Sequence, residues 1–292
     1  MKIVITGSLG NVGKPLTQQL AAEGHNITVI SSNEAKKQEI EALGAVPAIG
    51  SITDVNFLTQ TFEGADSVFV MTPPAISPDR IVENTTNAGK NYAEALKNAR
   101  VKRAVMLSSV GAESPVENGP IAGLHHIEKL YNEVENTSFT FLRAGYFYNN
   151  FFNDIPLIKN AGIIGGNYPG TANIPLVHPN DIAKAAAEEL VKDENGKNIR
   201  YIVGDVRKAS DFADVLGKAV EKPELPWVEF SDEDALNGML QAGLPQDMAH
   251  LYVEMGRGMR TGVVQKDFIE HGSPVTGNIK LEDFAKEFSA KF

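Results

Sequence analysis

Short apolar blocks recur along the first two thirds of the chain, and their period switches repeatedly between that of a strand and that of a helix. Met1 to Thr6 reads as a buried strand, and Val12, Leu16 and Leu20 follow at helical spacing. Asn26 to Ile30 predicts a second strand, Glu34 to Leu43 a helix with charges on its outer face, and Val46 to Ile49 a short third strand. Phe57 to Phe62 is helical, and Ser67 to Met71 is a fourth strand stopped by Thr72, Pro73 and Pro74. A long helix over Ile81 to Ala99 leads to a fifth strand, Arg103 to Leu107, which ends in Ser108 and Ser109. A helix from His125 to Val134 and a sixth strand from Ser138 to Leu142 continue the alternation. Short apolar strands joined by helices predict an α/β fold, a doubly wound parallel sheet covered on both faces with right-handed crossovers.

Beyond residue 150 the pattern loosens. Gly162, Gly165, Gly166, Pro169 and Gly170 mark a loop or hairpin, followed by Ile174, a helix over Asn180 to Val191 and a last strand of the main sheet at Arg200 to Val203. After about residue 206 the texture is helical and punctuated by proline, with one strand-like stretch from Trp227 to Phe230. Residues 1–150 therefore read as a main domain to which about 176–205 returns. Residues 206–292, with 151–175, read as a smaller mixed α/β domain closing over its edge.

The densest chemical signal is Gly7, Gly10 and Gly13, a G-x-x-G-x-x-G turn between the first strand and the first helix. Gly7 permits the sharp turn, Gly10 lets backbone approach a pyrophosphate, and Gly13 lets the helix pack close to the sheet. The helix N-terminus offers free N–H groups and partial positive charge to phosphates. Thr6, Gly7, Gly10, Asn11, Val12 and Gly13 are thus the expected dinucleotide cradle, and the main domain is a Rossmann-type NAD(P) domain. At the end of the second strand, where NAD-preferring proteins carry an acid, stand Ser31, Ser32 and Asn33 with Lys36 and Lys37 beyond. These groups suit a 2′-phosphate, so NADP is favoured over NAD, although no arginine is present to grip it bidentately. Asp54 is placed either to accept from the adenine or to cap the following helix. Thr72, Pro73 and Pro74 are expected to line the cleft at the carboxyl edge of the sheet.

Composition narrows the chemistry. The chain of 292 residues has a net charge of −10 and no Lys/Arg stripe, which argues against a nucleic-acid partner. Without cysteine there is neither disulfide nor redox thiol, so redox chemistry has to come from a bound cofactor. The six histidines show no metal-binding spacing. A strand that begins at the second residue leaves no room for a signal peptide, and no apolar run reaches membrane-spanning length, so a cytoplasmic protein is expected.

Ser108 and Ser109 end the fifth strand and the next helix carries His125, His126 and Lys129, the place where short-chain dehydrogenases put a serine and a Tyr-x-x-x-Lys pair. Here His125 stands four before the lysine, and Tyr131 follows it on another face. Together with Ser108 to Ala112, Leu142 to Asn150, Leu176 to Ala183 and Thr276 to Phe284, these motifs resemble the NmrA-like family, an atypical branch of the short-chain dehydrogenases. Within that family the chain looks most like the bacterial NAD(P)H-dependent quinone oxidoreductases and azoreductases, across nearly its whole length. The resemblance implies an NADPH-dependent, flavin-free and metal-free reductase of quinones or similar aromatic electrophiles, acting as a monomer or homodimer. In that reading Lys129 fixes the nicotinamide ribose, and Tyr146, Phe147, Tyr148 and Asn149 shape the substrate pocket. The family also contains NADP-binding redox sensors that act through protein partners, and the missing tyrosine acid suits that alternative equally.

Overall fold

The computed structural model describes residues 1–73 and 78–292. In β1 (Lys2–Ile5) Ile3, Val4 and Ile5 are wholly buried, as a parallel strand covered on both faces requires. Crossovers then lead through α1 (Gly13–Ala22), β2 (Asn26–Ser31), α2 (Lys37–Ala42) and β3 (Val46–Ile49). The chain returns across β1 through α3 (Val55–Phe62) and β4 (Ser67–Val70). It continues with α4 (Ile81–Asn98), β5 (Arg103–Ser109), α5 (Ala122–Asn132) and β6 (Ser138–Ala144).

After β6 come β7 (Tyr146–Phe147), α6 (Ile155–Ala161), β8 (Ile164–Gly166), β9 (Asn173–Val177), α7 (Pro179–Leu190) and β10 (Lys197–Ile202). The chain then forms β11 (Asp205–Lys208), α8 (Ala209–Ala219), β12 (Trp227–Glu229), α9 (Asp232–Gln241) and α10 (Gln246–Thr261). It ends with α11 (Lys266–Glu270) and α12 (Leu281–Lys291). The main sheet has seven parallel strands in the order β10-β6-β5-β4-β1-β2-β3, the expected doubly wound α/β fold. Strand order reverses between β1 and β4, and open sheets of this type bind ligands off the carboxyl ends at that crevice.

Leu16 and Leu20 of α1 and Ile182 and Leu190 of α7 cover one face of the sheet. Phe62 of α3, Leu96 of α4 and Ile127 of α5 cover the other. A separate aromatic core of Phe151, Phe212, Phe284 and Phe288 joins α8 and α12 to the 3-10 turn Tyr148–Asp154. A three-stranded sheet, β11-β9-β7, links that core to the main sheet.

Three expectations change. The single helix expected from Glu34 opens as a 3-10 turn, because the Asn33 side chain accepts from Ala35 N and α2 starts only at Lys37. The last main-sheet strand begins at Lys197, three residues early; as an edge strand its first half, Lys197 to Ile199, stays partly or fully exposed and so lacks the apolar burial that marks a strand. The glycine-rich stretch is no hairpin: β8 pairs in parallel with the distant β12. Gly165 explains its composition, since a Cβ there would meet the Val228 carbonyl oxygen at 2.2 Å.

Candidate active site

The three N-terminal glycines do different work. Gly7 has φ +86°, a left-handed conformation that suits glycine, and a Cβ on Gly13 would lie 2.1 Å from the Ser8 carbonyl oxygen. At Gly10 a Cβ would approach only Gly7 O, at 3.5 Å, so the space over it is open. No side chain caps α1, and its first turn carries no acid. The helix therefore keeps its positive end for a ligand, and the cradle fits a dinucleotide pyrophosphate. Asn11 is exposed beside it, while Val12 is buried and serves the core.

At the adenosine end, Ser31 is buried and its Oγ accepts from Ser8 Oγ at 3.0 Å, while Asn33 is used in capping. Ser32 is exposed. Lys36 Nζ lies 2.8 Å from Glu39, and Lys14 Nζ, from the first turn of α1, lies 3.0 Å from the same carboxylate. Hydrogen bonds and charge from the two lysines hold Glu39 below its ordinary pKa. The linear reading found neither Lys14 nor a carboxylate here; the three-residue spacing of Lys36 and Glu39 was the available signal. Asp54 caps α3, accepting from Phe57 N at 3.0 Å.

At the crevice, Thr6 is fully buried; its hydroxyl accepts from Met71 N at 2.8 Å and so clamps β1 to the end of β4. Tyr92 OH donates to Met71 O from α4. Thr72 and Pro73 follow, partly exposed, along the strand ends, and Pro74 lies outside the described residues. The two serines of β5 diverge, as adjacent strand residues must. Ser109 is half-buried, with its Oγ on Val110 O, whereas Ser108 is buried and donates to Glu128 of α5.

Glu128, not Lys129, is the α5 residue turned to the sheet. It accepts two hydrogen bonds from Arg143 of β6, the shorter being 2.7 Å. Arg143 also donates to Asp267 of α11 at 2.7 Å and to Tyr201 of β10 at 3.2 Å, and Glu113 lies 3.7 Å away. Burial opposes the guanidinium's charge, but Glu128 and Tyr201 hold it above its ordinary pKa. Burial pushes Glu113 upward. Lys129 is exposed one turn after His125, whose Nδ1 sits 2.8 Å from Ala112 O, and no hydrogen bond or ion pair engages it among the described residues.

Beyond β6 the chain reaches the residues expected to shape the substrate pocket. Tyr146 is half-buried against Phe151, and Asn149 buries an Oδ1 that has no hydrogen-bond partner. Tyr146 lies within electrostatic reach of Asp154, Tyr168 and Tyr252, three residues that the sequence did not single out. Burial raises all three phenols above their ordinary pKa and lifts the Asp154 carboxyl to about 7. Each of these groups is nonetheless partly open to solvent.

A positive helix end over a glycine cradle, at the reversal point of a parallel sheet, defines a dinucleotide-binding protein. The NAD(P)H-binding family matches residues 7–165, and the chain belongs to that family. It is 25% identical to the NAD(P)H azoreductase of Xenophilus azovorans over 256 residues, 87% of this chain and 85% of that one. Its fold is similar to that of an NADPH-dependent quinone oxidoreductase of Escherichia coli, solved with NADPH, with TM-score 0.83, 21% identity and 98% and 99% of the two chains covered. It is also similar to the triphenylmethane reductase of Citrobacter sp. in complex with NADP(H), with TM-score 0.81, 20% identity and the same coverage. The resemblance drawn from the sequence motifs is thus met. No helix among the described residues is long and apolar enough to cross a membrane.

Proposed function

We propose that the protein is an NADPH-dependent reductase of quinones and related conjugated electrophiles, azo compounds included, that works without a flavin. The observation that carries this reading is the uncapped glycine turn at the reversal point of the parallel sheet, in a chain similar to an NAD(P)H azoreductase along 87% of its length. NADPH, when bound, supplies hydride. Gly7, Gly10, Asn11 and Gly13 receive the pyrophosphate, and Thr72, Pro73 and Ser109 border the path toward the nicotinamide. Asn149 Oδ1 is an acceptor without a donor, and the nicotinamide carboxamide is a donor of the right kind. Lys129 extends from the His125 face of α5 toward the ribose. Tyr146 and its neighbours offer flat apolar faces to a flat acceptor and exclude water, so positioning carries most of the rate.

Lys14, Lys36 and Ser32 are the groups placed to take a 2′-phosphate, with Glu39 holding the two lysines together until the phosphate arrives. Lys36→Ala is expected to weaken NADPH about tenfold and NADH by less than about twofold, since one charge-assisted contact is lost only with the phosphate. Cofactor fluorescence titration measures both; equal losses would remove the lysine from the phosphate site. The reductase reading itself is tested by NADPH oxidation with a simple quinone, against NADH and a protein-free blank. Turnover saturable in both reactants is expected; saturable NADPH binding with no turnover on quinone, azo dye or triarylmethane dye would overturn it.

A further inference from the structure

Residues of α4 and α5, with Asp247 of α10, line a groove of about 440 Å³ that shares no residue with the glycine turn or with the carboxyl ends of β2, β4 and β5. It follows the seam between α4 and α5, which pack almost backbone to backbone. No room remains for a Cβ on Gly89 against Ile127, and one on Gly123 would lie 2.8 Å from Thr85. Tyr131 OH fixes the crossing by donating to Gly89 O at 3.2 Å. Lys90 and His126, the chain neighbours of Gly89 and Ile127, line the groove from the two helices. Asp247 lines its other end, where it accepts from Ile81 N at the head of α4 at 2.8 Å. Nine residues of α4 separate Ile81 from Lys90, about 13 Å of helix. Both the length and the volume are those of a small-molecule site.

Five ionisable side chains line the groove, and their pairings within the protein leave one sign unspent. Asp247 is used as the cap of α4, whose positive end it offsets. Glu83 lies 3.8 Å from Arg80. Lys90 Nζ has only a neutral acceptor, Asn87 Oδ1 at 3.3 Å, and His126 makes no hydrogen bond or ion pair among the described residues. A cation and an imidazole are thus left over, in a chain whose net charge is −10. Between the two ends the lining is weakly polar: Thr86 spends its hydroxyl on Val82 O at 2.7 Å, and Val82 itself is apolar.

We propose that this groove is a second ligand site, for a small organic anion with an apolar body. The carboxylate of the ligand pairs with Lys90 and His126, and its ring or chain lies along Val82 and Thr86 toward Asp247. Glu83 and Asp247 restrict the charge that fits. A single negative charge at the Lys90 end is matched, whereas a phosphate dianion brings a second charge that only the two carboxylates would face. The site goes beyond the reductase reading and does not depend on it.

The test is calorimetric titration with three probes: naphthoate, its neutral isostere naphthamide, and inorganic phosphate. Naphthoate is expected to bind with a Kd below about 1 mM, equally with and without saturating NADPH, and naphthamide at least about tenfold more weakly. Phosphate is expected not to bind under saturating NADPH. Lys90→Ala should lose about tenfold in naphthoate affinity and Lys90→Arg should keep it, with NADPH affinity the same in both variants as in wild type. The ring NMR signals of His126, assigned with His126→Gln, should shift on adding naphthoate and not on adding naphthamide. Naphthamide binding as tightly as naphthoate, naphthoate displaced by NADPH, or affinity unchanged in Lys90→Ala overturns the proposal. Sedimentation tests the remaining occupant: a dimer that Lys90→Glu dissociates would show that a second copy of the chain covers the groove, and the anion site falls with that result.

Discussion

Arg143→Met is expected to destabilise the protein by about 3–5 kcal/mol, the largest effect of any single side-chain change outside the apolar core. The guanidinium is nearly buried, and four elements converge on it: Glu128 from α5, Asp267 from α11, Tyr201 from β10 and the Glu113 segment after β5. Methionine matches the volume but abandons the carboxylates. Glu128 keeps only Ser108 as a donor of its own, and Tyr201 still donates to Asp267. The cost is the desolvation of uncompensated negative charge, so it should shrink as acid neutralises the carboxylates. Urea denaturation at two pH values measures both the loss and its narrowing. A loss under about 1 kcal/mol would mean that water reaches the cluster and that it behaves as a surface ion pair. The cluster also ties α11 to the sheet edge, so the variant should release α11 before it loses the central sheet.

Gly10→Ala is expected to leave stability within about 0.5 kcal/mol and to weaken NADPH binding about 100-fold. The added methyl meets nothing closer than Gly7 O at 3.5 Å in the protein itself, so the fold accommodates it. The same methyl occupies the space through which a pyrophosphate approaches the N-terminus of α1. Gly13→Ala is the contrasting case, since its Cβ would sit 2.1 Å from a backbone oxygen and must move the loop. Thermal melts and cofactor titration on Gly10→Ala separate the two roles; unchanged affinity would show that the dinucleotide does not pass over Gly10.

Much of the site was legible in the sequence because its parts are local. A strand, a glycine turn and a helix N-terminus follow one another within the first thirteen residues, and backbone geometry alone makes them a phosphate cradle. The two serines of β5 were legible as residues but not as directions. Period-two alternation sends them to opposite faces, and only the pairing of Ser108 with Arg143 across β5 and β6 decides that Ser108 serves the buried ion cluster. Lys129 and Glu128 show the same on a helix, where one residue is 100° of rotation from the next. The motif drew attention to the lysine, and packing turned the glutamate inward. Asp154 carried no signal, because a single aspartate between aromatic residues reads as an ordinary cap.

By itself, then, the sequence determined the doubly wound sheet, the glycine turn at the head of α1 and the family, since periodicity and turn chemistry act between near neighbours. The tertiary structure alone decided which charges are neutralised and which carboxyl is left without a partner. Arg143 meets Asp267 across 124 residues of chain, and Arg103 meets Glu189 across 86. The pKa of a buried group depends on the density and dipoles brought around it by distant segments, and that environment does not exist until the fold is complete.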